Sequence, residues 1–197
     1  MCYTITKRGI ARSTKGGVLM AKRPTRVLVL AALFLALGIL LPFLTGQLKE
    51  VGDSLLPMHL PVLLCGIVCG SGFGFGVGLI LPLLRAVTVG MPPLYPNAVW
   101  MAAELATYGL VIGLLYHARA RKTRGHLFFS LIVAMLAGRI VWGGVKALLL
   151  GVAGKGFTVQ AFIAGGFIDA LPGIILQLIL IPLIVEVLRH TAWRDQA

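Results

Sequence analysis

Five ionisable side chains interrupt otherwise apolar stretches of this chain: Arg85, Glu104, Arg139, Lys146 and Asp169, with Glu186 near the end of the last stretch. An ionised group in hydrocarbon is costly, so such residues face the interior of a helix bundle or a wet cavity. Two chemistries are open to them. If Arg139 pairs with Asp169 and Arg85 with Glu104, the charges are buried structural pairs and one cation remains. That cation suits one carboxylate or phosphate on a ligand. Lys146 has the further option of extending its stem to the membrane interface. His59 either donates a hydrogen bond into a site or sits at the interface.

Catalysis finds no support. The chain has no phosphate-binding loop, no H-E-x-x-H and no G-x-S-x-G. The glycines of "GSGFGFGVG" lack the strand–turn–helix setting of a dinucleotide fingerprint. Cys65 and Cys69 would share one helix face, but nothing nearby completes a ligand set. They read as small packing residues, and neither a metal nor a cofactor is expected.

The elements that must position these charges are membrane helices. Mean hydropathy is +0.96, and 58% of residues are hydrophobic against 12% charged. Residues 27–48 and 54–84, runs of 22 and 31, contain no Lys, Arg, Asp or Glu. About 20 apolar residues cross the hydrocarbon as a helix. The expected fold is an all-α membrane protein with six transmembrane helices, near 27–44, 58–71, 73–88, 97–117, 126–150 and 158–188. These form one domain over 27–190, between a basic tail, 1–26, and a short tail, 191–197.

The formal net charge of +12 does not point to nucleic acid, because its placement follows topology. Seven basic residues precede position 27, and four lie in "HARARKTRGH" at Arg119, Arg121, Lys122 and Arg124. Arg189 and Arg194 lie at the C-terminal end. Basic residues mark cytoplasmic segments and meet anionic lipid there. Both termini and residues 118–125 are therefore expected inside a plasma membrane, with 45–57, 89–96 and 151–157 outside. The 22-residue apolar run that follows the tail exceeds a signal-peptide core. Translation starts at Met1 or Met20. In this topology Arg85, Glu104, Arg139, Lys146 and Asp169 concentrate in the outer half.

Glycines and prolines set the shape. Gly66, Gly70, Gly74 and Gly78 recur every four residues, a spacing that lets helix backbones approach closely. Pro57, Pro61 and Pro82 start or kink helices, and "GMPPLYPN" makes a stiff outer loop. Two short helices under such a loop imply a cavity open to the outside, or simply tight packing.

The chain resembles the substrate-binding S components of energy-coupling factor (ECF) vitamin transporters over about 27–190. The likeness is carried by "AALFLA", "PMHLPVLLCGIVCG", "GLILPLLRAVTVGMPPLYPNAVWMAAELATYGLVIGLLY" and "DALPGIILQLILIPLIVEVL". It implies a non-enzymatic subunit that binds a small vitamin in its outer half. It also implies partners, a transmembrane coupling protein and two ATPase subunits, with Ala32 and Ala36 in the docking element. The Met-Pro-Pro stretch looks most like the pantothenate type. Pantothenate would suit Arg85, Lys146, Asn97 and Gln177, beside Glu104, Arg139, Asp169 and His59. Pyridoxine, folate, riboflavin and hydroxymethylpyrimidine types stay open, as does a membrane enzyme or scaffold with structural ion pairs.

Overall fold

The computed structural model describes residues 24–44, 56–119, 123–154 and 158–194, with Gly156. Most of the basic tail, the first expected outer loop up to residue 55, Arg121, Lys122, Lys155 and the last three residues lie outside the described residues. The described residues form helices and turns, with no strand. The helices are α1 (Pro24–Leu44), α2 (His59–Cys69), α3 (Ser71–Val89), α4 (Val99–Ala118), α5 (Arg124–Val152), α6 (Val159–Ile163) and α7 (Leu171–Arg194). A wide turn, Leu94–Ala98, leads into α4, and another, Ala164–Ile168, joins α6 to α7.

Among the described residues, five spans are long and apolar enough to cross a membrane: Thr25–Phe43, Ser71–Val89, Leu94–Ala118, Arg124–Val152 and Val159–Leu188. The protein is therefore a multi-pass membrane protein. The expected second helix differs in kind. At 11 residues and about 1.5 Å per residue, α2 reaches only about half of a hydrocarbon core. Its residues His59 and Pro61–Ile67 are buried, enclosed by α1, α3, α4 and α7. A helix that starts inside the bundle leaves room above its N-terminus.

Glycine controls how α3 meets α4. A Cβ on Gly74 would strike the Gly109 carbonyl, and one on Gly109 would strike the backbone of Gly74. One turn along α3, Gly78 lies against the Leu105 carbonyl, and one turn along α4, Gly113 meets Ser71. This backbone-to-backbone crossing is what four-residue glycine spacing permits. The expected Gly66–Gly78 series divides, however. Gly70 has φ +97° with open space around it, so it breaks the chain between α2 and α3 instead of packing. Gly74→Ala is expected to lower the melting temperature, by about 1–3 kcal/mol of stability. Gly76→Ala, with nothing within 4 Å, should raise it slightly or leave it unchanged; equal losses from both would refute the close crossing.

The expected sixth helix is broken. Gly165 and Gly166 weaken the helix, and Pro172 lacks the N–H needed to continue it. Both glycines lie against the indole of Trp142 on α5, and Phe162 packs on Gly143. The break therefore makes room for a large ring beside the bundle's interior.

Candidate functional site

A cavity of about 470 Å³ opens at one end of the bundle. The start of α2, the end of α3 and the start of α4 contribute to it, as do the C-terminal half of α5 and the turn before α7. Prolines 92 and 93 rim it, and Met58, Met91 and Met101 supply apolar wall. Such a mixture, mainly apolar with a few polar groups, is what a small-molecule site needs.

Seven of the eight residues expected from the sequence line this cavity: His59, Arg85, Asn97, Glu104, Arg139, Lys146 and Asp169. Gln177 does not. It is buried within the bundle at 2% exposure, away from the cavity lining. The helical period explains the difference, because Gln177 follows Gly173 and precedes Ile181 along the buried stripe of α7.

The pairing of charges also differs from expectation. Glu104, 2% exposed, pairs with Arg139 rather than Arg85: Arg139 Nη1 lies 3.1 Å from Glu104 Oε1. The same oxygen accepts a hydrogen bond from the Tyr108 hydroxyl at 2.9 Å and lies 3.4 Å from His59 Nε2. One carboxylate oxygen thus gathers side chains from α2, α4 and α5. His59 is a buried member of this group, its ring tilted against that of Tyr108 at 5.1 Å between centroids. Asp169 is exposed and forms no ion pair among the described residues.

Arg85 stands apart. It is 7% exposed and has no acidic partner among the described residues. Its Nη1 donates to the Met58 thioether at 3.3 Å, a weak acceptor. Its guanidinium lies 6.0 Å from the Phe43 ring centroid, and its Nε is buried without a hydrogen-bond partner among the described residues. Lys146 lies among aromatic rings: its Nζ sits 4.4 Å from the Trp142 ring centroid and 5.4 Å from that of Trp100.

Tyr108, Trp142, Trp100 and Met58 were not singled out by sequence reasoning. Two of them had a signal. Tyr108 is four residues after Glu104, and Trp142 lies three after Arg139 and four before Lys146, the spacings at which helical side chains meet. Met58 and Trp100 reach the site through tertiary packing alone. Among the described residues, no three His, Cys, Asp or Glu side chains gather as a metal site.

At the opposite end of the bundle, Arg124 on α5 pairs with Glu186 on α7 at 3.0 Å. That pair is largely exposed, and it accounts for the acidic residue at the end of the last apolar stretch. His126 turns its Nε2 toward the Leu115 carbonyl at 2.9 Å and stacks on Tyr116.

α1 offers a second surface. Val27, Ala31, Phe34 and Gly38 face the bundle, while Ala32 and Ala36 lie on the outward side among Leu28, Leu33 and Leu40. Two alanines one turn apart leave a shallow groove between larger side chains.

A family model described as ECF transporter, substrate-specific component, matches residues 26–185. No curated protein and no solved structure matches the chain.

Proposed function

The chain belongs to the family of substrate-specific components of ECF transporters, and on that premise we propose that its cavity captures a small anionic vitamin, pantothenate before others, for import. Members of this family are transporter subunits and not enzymes. They work with a transmembrane coupling protein and ATPases. Capture opens outward, with both termini in the cytoplasm, and Ala32 and Ala36 meet the coupling protein.

One observation carries the ligand reading. Arg85 is a buried cation in a membrane-spanning helix, and a thioether is its hydrogen-bond acceptor. A charge so placed is costly unless an anion joins it. The cavity beside it is large enough for a vitamin, and the carboxylate of pantothenate would complete the pair. The remaining polar groups, Asn97 among them, suit its hydroxyls and amide. The reading of all intramembrane charges as structural pairs fits Glu104 and Arg139 but leaves Arg85 without an acidic partner among the described residues.

A thermal-shift screen of the purified protein against pantothenate, pyridoxine, folate, riboflavin and hydroxymethylpyrimidine tests this. Pantothenate at 100 times its dissociation constant stabilises by about 2.7 kcal/mol, which raises the melting temperature by roughly 5–10 °C. A response to another vitamin alone would move the assignment to that vitamin; silence across the panel would sink vitamin capture.

The orientation has its own test, in a background lacking Cys2, Cys65 and Cys69. An impermeant thiol reagent applied to intact cells should label Tyr95→Cys and spare Arg119→Cys. The reverse pattern would invert the topology.

A further inference from the structure

The two buried arginines of the cavity differ in what surrounds them. Arg139 is 4% exposed and already faces an anion, since its Nη1 is ion-paired with Glu104. The same Glu104 oxygen accepts a hydrogen bond from the Tyr108 hydroxyl and lies 3.4 Å from His59 Nε2. Yet Nε and Nη2 of Arg139 are buried and lack a hydrogen-bond partner among the described residues. These two nitrogens form one edge of the planar guanidinium and project parallel N–H bonds. Arg85 is the opposite case: no acid beside it, and a thioether on Nη1.

We infer that the two arginines divide recognition of the ligand: Arg85 takes its anionic group, and the Nε–Nη2 edge of Arg139 takes a neutral oxygen acceptor, such as an amide carbonyl, elsewhere on the same molecule. The physical reason is charge balance. A second carboxylate placed on Arg139 would lie close to Glu104, and like charges in a site shielded from water repel strongly. A neutral carbonyl meets the donors of that edge without adding charge. Glu104 is therefore a positioning residue. Held by Tyr108 on its own helix, it fixes the guanidinium of α5 with its Nε–Nη2 edge unused. The ligand class that results is a monoanion with an amide or comparable carbonyl some distance from the charge. Ligands with two separated carboxylates are disfavoured.

This inference rests on the pantothenate reading, and its test separates the two. The probes are pantothenate and pantothenol, which share the amide and hydroxyls but differ in carboxylate against alcohol. Binding is measured by titration calorimetry on the purified full chain, for the unaltered protein, Arg85→Gln and Arg139→Lys. Lysine at 139 keeps a cation for Glu104 and removes the planar edge, so the fold has no unpaired buried carboxylate to bear. The unaltered protein should prefer pantothenate by about 10- to 100-fold. Arg85→Gln should reduce that preference to within about threefold, because the group that distinguishes the probes is gone. Arg139→Lys should weaken both probes by the same factor, about 10-fold, and retain the preference. If the preference collapses in Arg139→Lys and survives in Arg85→Gln, the division is reversed and the inference fails while pantothenate stands. If the unaltered protein binds neither probe, the pantothenate reading fails and the inference goes with it.

Discussion

Replacing both Ala32 and Ala36 by Trp is expected to abolish vitamin uptake by cells and leave vitamin binding by the isolated protein unchanged. The two alanines lie on the outward side of α1, opposite the Val27, Ala31, Phe34 and Gly38 side that meets the bundle. An indole at either position points away from the core, so the cavity and the fold are undisturbed. The effect falls on whatever docks there. Close helix contact between membrane proteins depends on small residues that let backbones approach. Two indoles would hold the helices several ångströms further apart, and dispersion contacts vanish over such a gap. Uptake of labelled vitamin, with purified-protein binding measured in parallel, decides the matter. Persisting uptake would place the coupling contact on another face, and lost binding would show that α1 shapes the cavity.

Arg85→Gln is expected to weaken ligand binding by about one to two orders of magnitude while the ligand-free protein melts at nearly the same temperature or slightly higher. A charge-assisted hydrogen bond contributes roughly 1.5–3 kcal/mol, which is about 10- to 100-fold in affinity. The melting behaviour follows from the surroundings. Arg85 has no acid to lose among the described residues, and its bond to Met58 Sδ is to a weak acceptor. Removing a buried cation without a countercharge relieves a desolvation cost. Glu104→Gln should behave in the opposite way. It strips Arg139 of its ion pair and changes the partner of Tyr108 and His59, so the ligand-free protein itself should lose stability, by about 3–5 kcal/mol. A large drop in melting temperature for Arg85→Gln, restored by adding Glu104→Gln, would show that Arg85 and Glu104 form a structural pair and that Arg85 has no ligand role.

Much of the architecture follows from one-dimensional pattern. Long runs without charge can only be satisfied in hydrocarbon as helices, because each helix closes its own backbone hydrogen bonds. The expected 27–44, 97–117 and 126–150 segments accordingly fall within α1, the Leu94–Ala118 span and α5. Glycine spacing is similarly local information, and Gly74 and Gly78 lie in the close crossing as that spacing implies. Seven of the eight candidate site residues share one cavity for the same reason. Apolar helices leave few places where a charge avoids lipid, so charged residues at similar depth converge.

What the sequence alone could not determine was which charge meets which. Depth along a helix is readable from residue number, but azimuth relative to neighbouring helices is set by packing. Arg139 and Asp169 have similar expected depths, yet Glu104 is the partner of Arg139, and Asp169 lies exposed in the turn before α7. Gln177 has the polarity of a site residue but lies in the buried stripe of α7, away from the cavity. Sequence thus decided that this chain carries buried charges in a helical membrane bundle. Tertiary structure decided that one of them, Arg85, meets no acid among the described residues, since a pairing between helices depends on their rotation and crossing, which no local pattern encodes.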